Sequence, residues 1–468
     1  MINTYIKERG LMMKNYKLKV NILDFGAKTG SNLLQTESIQ SAIDYCFKNG
    51  GGEIQIPAGE FITGAIRLRS NITLHLLEDA KLIGSRNPND YFILQKDIIE
   101  PVPNYILTNE TKINGRSIDG VHYGKKWFNS LIKVYNAKNI AIIGEKNSII
   151  DGRDCYDENG EEGFRGPHCI SICKSKNIDI YGITIVNSAN WAYCIWSCKN
   201  VTCKNSTIKA GHDGFDVFDC ENVLVEDCDF YTGDDCIAGY ANYKVRISNC
   251  KLSSTCSAFR FAGTNVKISN CKVEGNSKFV HRYTLTKDEK ITGKLLSDLE
   301  NPNHRYRMKS FYTYYADNRL EIIKKPSKIT IENCTVENSE KFLHYNYSGN
   351  ETWQQNRPLY DISFKNIVVK NISMPMIAYG SQEEPFTLNL ESVDILLSNN
   401  YTDDCLIRSA NLKSVNFNKV CVKNFNGETV VKNYGENKGK IAINCSDFGN
   451  EIKSAIKETK QEFVVDCI

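Results

Sequence analysis

The strongest pattern in the chain is a set of apolar positions that repeats every 21 to 23 residues. The first position of successive repeats is held by Ile178, Val201, Val223, Val245 and Val266, at steps of 23, 22, 22 and 21 residues. Within each repeat, apolar or small residues return two, five and seven positions later. Two such pairs with a change of phase between them indicate two short strands joined at a bend. A period of this length, kept over many repeats, predicts a solenoid.

The residue types decide between a helical and a β-solenoid. Val, Ile and other strand formers fill the apolar positions, whereas Gly, Asn, Asp and Ser stand at the bends, which favours strands. We therefore predict an all-β fold, a parallel β-helix of about ten coils. Residues 1–20 are predicted as an N-terminal extension and residues 21–468 as a single β-helix domain. An insert at residues 276–327 interrupts the repeat within that domain, and we expect it to border a cleft.

Both ends of the solenoid are expected to be covered by helices. Apolar residues recur at helical spacing from Thr36 to Lys48, and Asn49-Gly50 is a stop signal. One amphipathic helix there can cover the open end of the solenoid. Glu451 to Glu462 mixes alternating charge with a few apolar residues, and we expect a short capping helix there.

Cysteine is frequent, with eighteen residues in the chain. Cys228, Cys250, Cys271 and later Cys334 share one inward position of the repeat, where a thiol acts as a small apolar side chain. The spacing lacks the paired Cys-x-x-Cys units of a metal site. We predict structural thiols, no disulfide and no metal. Reduced thiols agree with a cytosolic location.

Three aspartates occupy matching places in two successive repeats. Asp213 and Asp235 stand twelve positions after the start of their repeats, and Asp234 stands at position eleven. Since coils stack about 4.8 Å apart, these carboxyls should meet on one face. Crowded carboxyls repel, so at least one pKa must rise, and such a set suits the acid and base of glycoside hydrolysis. The alternatives are bends that merely tolerate aspartate, or a calcium site.

Other polar and aromatic residues share that face, and they are candidates for binding substrate. Asp216 and Arg260 stand at position fifteen of their repeats, so Arg260 could bind a sugar carboxylate or orient Asp235 or Asp216. Trp191, one coil before Asp213, is expected to be exposed and to stack on a sugar ring, with Trp196 in the core. Arg165 and His168 close a long loop and could contact substrate or simply lie at the surface.

The motifs around these aspartates resemble those of glycoside hydrolase family 28, the polygalacturonases and their relatives. Asp213-Gly214 is similar to the end of the family's Asn-Thr-Asp motif, and Gly233-Asp234-Asp235 to its Gly-Asp-Asp motif. The resemblance implies a right-handed parallel β-helix that hydrolyses with inversion and without a cofactor. It also implies Asp234 as the general acid, with Asp213 and Asp235 positioning the attacking water.

The chain departs from the family at the motifs with which the family binds galacturonate. Gly211-His212 replaces Asn-Thr, which makes His212 a candidate substrate contact. The Gly-His-Gly motif of the next coil falls at Cys256-Ser257-Ala258, and the Arg-Ile-Lys motif has only a loose echo at Arg307-Met308-Lys309. We expect a hydrolase of pectin-type or other uronic-acid-containing polysaccharides or oligosaccharides. A polysaccharide lyase on the same scaffold and a non-catalytic glycan-binding β-helix are the alternatives.

Composition and charge limit the kinds of partner that we expect the chain to bind. The chain has 468 residues, 24% of them charged, and a net charge of +3, which argues against nucleic acid as the main partner. The first twenty residues are polar and basic, without the apolar run of a signal peptide or a membrane span. We expect a cytoplasmic protein, or a secreted one if a leader precedes this sequence. The sequence does not predict an oligomeric state.

Overall fold

The chain forms a right-handed parallel β-helix, seen here in a computed structural model. The structure describes residues 18–91, 129–292, 305–316, 325–347, 357–435, 439–449, 452 and 454–459, together with the backbone of 111–113 and 116–118.

Strands make up most of the described chain. The strands that precede the aspartates are β1 (Lys19–Asn21), β2 (Gly52–Ile56), β3 (Gly59–Thr63), β4 (Ile66–Leu68), β5 (Ile72–Leu76), β6 (Ala80–Gly84), β7 (Thr111–Ile113), β8 (Arg116–Ile118), β9 (Ser130–Tyr135), β10 (Lys138–Gly144), β11 (Ile149–Asp151), β12 (Tyr156–Glu161), β13 (His168–Cys173), β14 (Lys176–Tyr181), β15 (Thr184–Val186), β16 (Tyr193–Trp196), β17 (Lys199–Lys204) and β18 (Thr207–Ala210). The strands around the aspartates and the insert are β19 (Phe215–Phe218), β20 (Glu221–Glu226), β21 (Asp229–Thr232), β22 (Ile237–Ser248), β23 (Lys251–Ser253), β24 (Ser257–Ser269), β25 (Lys272–Glu274) and β26 (Met308–Tyr314). The remaining strands are β27 (Ser327–Glu332), β28 (Thr335–Glu337), β29 (Ser339–Asn346), β30 (Asp361–Ile372), β31 (Met376–Tyr379), β32 (Phe386–Leu397), β33 (Cys405–Ala410), β34 (Leu412–Asn418), β35 (Cys421–Lys423), β36 (Thr429–Tyr434), β37 (Lys440–Asn444) and β38 (Ser454–Thr459).

Few helices accompany these strands. They are α1 (Thr36–Lys48), α2 (Lys287–Thr292) and the 3-10 turns Ile22–Phe25, Pro88–Tyr91 and Arg282–Thr284. In the part of the chain that the structure describes, no helix is long and apolar enough to cross a membrane.

Apart from β12 and the antiparallel pair β7 and β8, the strands pair in three parallel stacks, which form the three faces of the β-helix. Sheet A contains β1, β2, β5, β10, β14, β17, β20, β22, β24, β27, β30, β32, β34 and β37. Sheet B contains β3, β6, β11, β15, β18, β21, β23, β25, β28, β30, β32 and β35. Sheet C contains β4, β9, β13, β16, β19, β22, β24, β26, β29, β31, β33, β36 and β38. The long strands β22, β24, β30 and β32 each contribute to two faces.

The register of sheet A follows the predicted repeat. Ile178 lies opposite Val201, Val201 opposite Val223, and Val223 opposite Val245, and the ladder continues through Val266. These side chains are buried. The interior cysteine column is confirmed, because each thiol contacts the thiol of the next coil along the series Cys228, Cys250, Cys271 and Cys334. The cysteines of the described residues are free thiols.

Asparagines hold the bend that leads into sheet A. Asn139, Asn177, Asn200 and Asn222 all have φ between 58° and 59°, a left-handed conformation that asparagine tolerates better than most residues. Each donates its side-chain amide to the carbonyl oxygen of the asparagine one coil earlier, at 2.8 to 3.0 Å, and the first donates to Asn71. The ladder satisfies polar groups at every turn and keeps the coils in register.

The N-terminal cap is confirmed, whereas the C-terminal cap is wrong. Helix α1 runs from Thr36 to Lys48 and buries Ile39, Ala42, Ile43 and Cys46. At the other end, Ser454–Thr459 forms β38 and pairs in parallel with β36. The last strand of a solenoid has an open edge of unpaired backbone groups, and pairing with that edge overrides the local helical pattern. Strand β1 begins at Lys19, within the predicted N-terminal extension.

The insert contributes a coil of its own. Strand β26 joins sheet C between β24 and β29, and Val266 of β24 lies opposite Ile329 of β27. Residues 276–292 therefore leave the solenoid after β25 and return through β26, and they contain the turn Arg282–Thr284 and helix α2.

Candidate active site

The three aspartates lie at the bends that connect sheet B to sheet C. Asp213 stands between β18 and β19, while Asp234 and Asp235 stand between β21 and β22. The two bends are adjacent, because the N–H of Gly214 donates to the carbonyl of Asp235 at 2.9 Å. A Cβ at Gly233 would lie 2.4 Å from the carbonyl oxygen of Gly211, so only glycine allows the two bends to come this close.

The backbone of the second bend is fixed by three hydroxyls. Thr232 and Ser254 donate to the carbonyl of Asp234 at 2.7 and 2.5 Å, and Thr255 donates to the carbonyl of Gly233 at 2.7 Å. These contacts hold Asp234 and Asp235 in place before any ligand binds, as a preorganised site requires.

The structure brings the three predicted carboxyls together. One oxygen from each of Asp213, Asp234 and Asp235 lies within 4.8 Å of the others, and all three residues are buried. The expected single face across two coils is therefore present.

Arginines from three different segments surround this cluster. Arg282, from the insert, forms an ion pair with Asp234. Arg165 lies 3.7 Å from Asp234 and 3.9 Å from Asp213, and Arg260 lies 3.6 Å from Asp235. The prediction that the insert borders the aspartates is confirmed for its described residues before 293.

The surroundings shift the pKa values of the three carboxyls in opposite directions. Burial alone would raise the pKa of Asp234, but the guanidinium groups of Arg282 and Arg165 outweigh it and hold that pKa well below its usual range. Burial and the charge of Asp234 raise the pKa of Asp235 to about 6. Burial and both neighbouring carboxylates raise the pKa of Asp213 well above its usual range. In this structure the arginines thus favour the ionised form of Asp234, whereas burial and neighbouring charge favour the protonated forms of Asp213 and Asp235.

Asp216 and Arg260 occupy one column of sheet C, as predicted. Asp216 lies opposite Ala238, which in turn lies opposite Arg260. Both carboxyl oxygens of Asp216 are buried without a hydrogen-bond partner, and burial with the charges of Asp213 and Asp235 raises its pKa well above the usual range. A neutral carboxyl at this position suits a supporting role. Arg260 also packs over the ring of Tyr315 at 3.9 Å.

Trp191 is not the exposed sugar platform that we expected. Its residue is only 9% exposed, and its ring stacks on Phe218 at 5.4 Å and against His168 at 5.5 Å. Trp196 is fully buried, as predicted. The Nδ1 atom of His168 accepts the backbone N–H of Trp191 at 3.1 Å. His168 is thus a buried support for Trp191, and its contact with substrate stays a prediction.

His212 lies beside the carboxyls and packs on Phe164, with ring centroids 5.7 Å apart. Burial and the charge of Arg165 lower the pKa of His212 well below its usual range, so the imidazole is neutral. Its buried Nδ1 has no hydrogen-bond partner. A neutral imidazole with one free nitrogen can bind a sugar hydroxyl.

Arg165 forms ion pairs with carboxylates of the site and of its own loop, a role that the sequence did not reveal. Its side chain is 3% exposed and lies 3.5 Å from Glu161 and 3.3 Å from Glu162. It also donates to Asn190 at 3.2 Å. The sequence placed Arg165 in a loop without a repeat register, so its partners could not be counted. The same holds for Arg282, which lies in the insert.

Lys309, from the segment that loosely resembles the Arg-Ile-Lys motif, also lies close to the site. The backbone N–H of Lys309 donates to the carbonyl of Cys256 at 2.8 Å, and its ammonium lies 3.3 Å from Glu340. Lys309 therefore reaches the coil that carries Cys256, where the family has its histidine.

Two sets of donor atoms in the site could approach a cation. One is Asp213, Asp234 and Asp235, and the other is Asp234, Cys256 and His281, whose donor atoms lie within 4.8 Å of one another. Burial lowers the pKa of His281 to about 4, which leaves a neutral nitrogen. Since Asp234 belongs to both sets and is neutralised by Arg282, a cation would have to displace that guanidinium.

Comparison with known proteins identifies the scaffold. The model of the family described as glycosyl hydrolases family 28 matches residues 107–282, a range that contains all three aspartates and ends at Arg282. The stretch that carries the three aspartates is thus similar to this family. This similarity agrees with the Gly-Asp-Asp motif and with the fold described above.

Curated relatives cover part of the chain. A probable polygalacturonase from Vitis vinifera is 30% identical over 230 residues, which is 47% of this chain and 43% of that protein. An exo-poly-alpha-D-galacturonosidase from Dickeya chrysanthemi is 29% identical over 256 residues, which is 47% of this chain and 41% of that protein. The alignments thus span less than half the length of these two relatives.

Solved structures agree on the fold over a longer stretch. The family 28 exopolygalacturonase from Yersinia enterocolitica superposes with a TM-score of 0.63 at 18% identity, covering 92% of this chain and 78% of that one. The likeness extends the shared β-helix beyond the region that aligns in sequence.

Proposed function

We propose that this chain is a glycosidase that cleaves pectin-type or other uronic-acid-containing polysaccharides or oligosaccharides with inversion. The observation that carries the proposal is the cluster of Asp213, Asp234 and Asp235, whose oxygens lie within 4.8 Å of one another on the scaffold of a glycosidase family. Crowded carboxyls have no value for packing, since they repel one another, whereas glycoside hydrolysis needs such a set.

In the proposed reaction, Asp234 gives a proton to the glycosidic oxygen as the bond to the anomeric carbon breaks. A water molecule attacks the opposite face of the sugar and loses a proton to Asp213 or Asp235. The products are two sugars, and one proton has moved from Asp234 to a neighbouring carboxylate. A proton returned to Asp234 completes the cycle.

The cations of the site favour an acidic sugar. Arg165, Arg260 and Arg282 all lie within 4 Å of a catalytic carboxyl, and guanidinium groups bind carboxylates with paired hydrogen bonds. The names of the relatives, a probable polygalacturonase and an exo-poly-alpha-D-galacturonosidase, support a galacturonan-type substrate.

The stereochemistry of the product is a direct test of the proposed inverting mechanism. Inverting enzymes usually separate the two carboxyls by about 6.5–9.5 Å and retaining enzymes by about 5–5.5 Å. One oxygen from each of the three carboxyls lies within 4.8 Å of the others in this structure, so the anomeric configuration of the product is the decisive measurement. We propose inversion because the resemblance of Asp213-Gly214 and Gly233-Asp234-Asp235 to the motifs of glycoside hydrolase family 28 implies it.

The experiment is a product screen on pectic oligosaccharides, with the anomeric configuration of the first product followed by proton NMR. Hydrolysis with initial inversion supports the proposal. Initial retention would assign Asp213 or Asp235 as a nucleophile instead. Unsaturated products, or activity lost on chelation, would indicate a lyase, and binding without turnover would indicate a glycan-binding protein.

A further inference from the structure

We propose that Arg282 exchanges partners during catalysis, leaving Asp234 for the carboxylate of the bound uronic acid, and that this exchange lets Asp234 act as the acid. The inference rests on the proposed function and deepens it, because it makes the substrate's own charge the trigger of catalysis. Arg282 is then a specificity-determining residue.

Arg282 is the more exposed member of its ion pair with Asp234. The side chain of Asp234 is 3% exposed, and that of Arg282 is 15% exposed. A general acid must come within about 2.6–3.2 Å of the leaving oxygen. A glycosidic oxygen therefore reaches Asp234 only after the guanidinium moves, and an incoming ligand meets Arg282 first.

The neighbouring arginine is held more firmly. Arg165 is 3% exposed and is fixed by Glu161, Glu162 and Asn190. Arg282 has one further carboxylate partner, Glu162 at 3.1 Å, and packs over the ring of Tyr283 at 4.1 Å. Tyr283 is 66% exposed. Arg282 can thus swing outward over Tyr283 while keeping Glu162, whereas Arg165 stays with the catalytic carboxyls.

An anion is the natural trigger for this movement. A buried charge that loses its partner is strongly destabilised, so a neutral sugar cannot draw Arg282 away at little cost. The carboxylate of a uronic acid replaces the lost partner of Arg282 with a bidentate contact. Asp234 then loses the nearest charge that favoured its ionised form, and it can take up the proton of the cluster, because like charges at this distance cannot all ionise.

The proton for Asp234 is already within the cluster. Three buried carboxyls lie within 4.8 Å of one another, so they cannot all ionise, and burial with neighbouring charge raises the pKa values of Asp213 and Asp235. When Arg282 leaves, that proton passes to Asp234, which yields a protonated acid and an ionised base. One proton is redistributed and none is gained from solvent.

Several charged groups face Asp234 and enter the pH dependence. They come from the loop after β12, from both aspartate bends, from β24 and from the insert, and they are Arg165, Asp213, Asp235, Arg260, His281 and Arg282. His281 is neutral above about pH 4, since burial lowers its pKa to about 4. The change of partner at Arg282 therefore dominates the pH dependence of activity near neutral pH.

The test compares a short oligogalacturonide with its methyl ester, which has the same sugars without charge. The variants are Arg282→Gln, Arg282→Lys and the control Arg305→Gln, whose side chain pairs with Glu289 in the same insert. For the wild type, kcat/KM on the ester should fall at least about a hundredfold, the low end of the usual contribution of acid catalysis. A substantial part of the fall should appear in kcat.

In Arg282→Gln, the preference for the free acid should shrink to less than about tenfold. Its kcat/KM profile should also lose activity at a higher pH than that of the wild type. The sign follows because activity needs protonated Asp234, and removal of Arg282 raises the pKa of Asp234 in the free enzyme, to which kcat/KM refers. Arg305→Gln should keep the wild-type preference and profile.

The outcomes separate the two proposals. No turnover of either substrate by the wild type would refute the proposed function. Turnover with an unchanged ester preference in Arg282→Gln would refute the exchange alone. A raised KM for the free acid with an unmoved pH profile would show that Arg282 merely binds substrate, and this too overturns the exchange. If Arg282→Gln melts at a much lower temperature, Arg282→Lys decides. That variant keeps the charge and should retain the preference and most of the wild-type profile.

Discussion

Replacing Asp234 by Asn tests the role of the acid most directly. The substitution keeps the shape of the side chain and removes the proton that the leaving group needs. General acid catalysis contributes about 10²- to 10⁴-fold to rate. We therefore expect kcat/KM on an oligogalacturonide to fall by at least about a hundredfold.

The structure predicts that this loss depends on the leaving group. An aryl galacturonide with a good leaving group needs little protonation, so its loss should be much smaller. Water activation should survive, because Asp213 and Asp235 keep their positions through the backbone contact between Gly214 and Asp235. Arg282 retains Glu162 at 3.1 Å as a partner, so the variant should not leave it as an isolated buried charge.

The assay measures kcat/KM on both substrates for the wild type, Asp234→Asn and Asp235→Asn. Asp235→Asn is the matched control, since it removes a carboxyl of the same bend that is proposed to act on water. It should lose activity on both substrates alike. Equal losses for Asp234→Asn on the natural and aryl substrates would refute the assignment of Asp234 as the acid.

Three further predictions concern the scaffold. Ile180→Ala, at a fully buried position of β14, should lower the free energy of unfolding by about 2–5 kcal/mol in chemical denaturation. Val368→Ala, at an exposed position, should change it by less than about 0.5 kcal/mol, and similar losses would contradict the inward direction of Ile180. Asp216→Asn should stabilise the fold at neutral pH and lose that advantage as the pH falls towards 4. The reason is that a carboxyl whose folded pKa is raised lowers the stability of the fold above its unfolded pKa. A gain in stability that does not depend on pH would contradict a buried neutral Asp216. Asn200→Ala should lower the melting temperature more than Asn200→Gly, since Gly adopts the positive φ of 59° without strain; the reverse order would contradict a conformational role.

The core and the position of the carboxyls could be predicted from the sequence because both follow from counting. Once Val201 and Val223 are assigned the same place in successive coils, the place of every other residue in those coils is fixed. The pairing of Val201 with Val223, and of Asp216 with Ala238, follows from that count. A solenoid repeats its own backbone, so sequence distance translates directly into spatial distance.

The residues that set the charge of the site could not be found in this way. Arg165 and Arg282 lie in segments that leave the repeat, where sequence distance says nothing about spatial distance. The burial of Trp191 depends on His168 and Phe218 from neighbouring coils, which a position in the repeat does not reveal. At the C-terminus, local pattern favoured a helix over Ser454–Thr459, but the free edge of β36 decided for a strand.

The carboxyls of this site come from consecutive turns of one backbone, and this limits how the enzyme can change. The gap between Asp213 and Asp235 is set by the rise of the β-helix, about 4.8 Å per coil, and not by the choice of side chain. Point mutations can alter which groups hold protons, but they cannot widen the gap. A wider gap would require moving one aspartate to another coil, in a step of the same fixed size. Variation among chains built this way should therefore collect in the segments that leave the solenoid, because those alone can be reshaped by degrees.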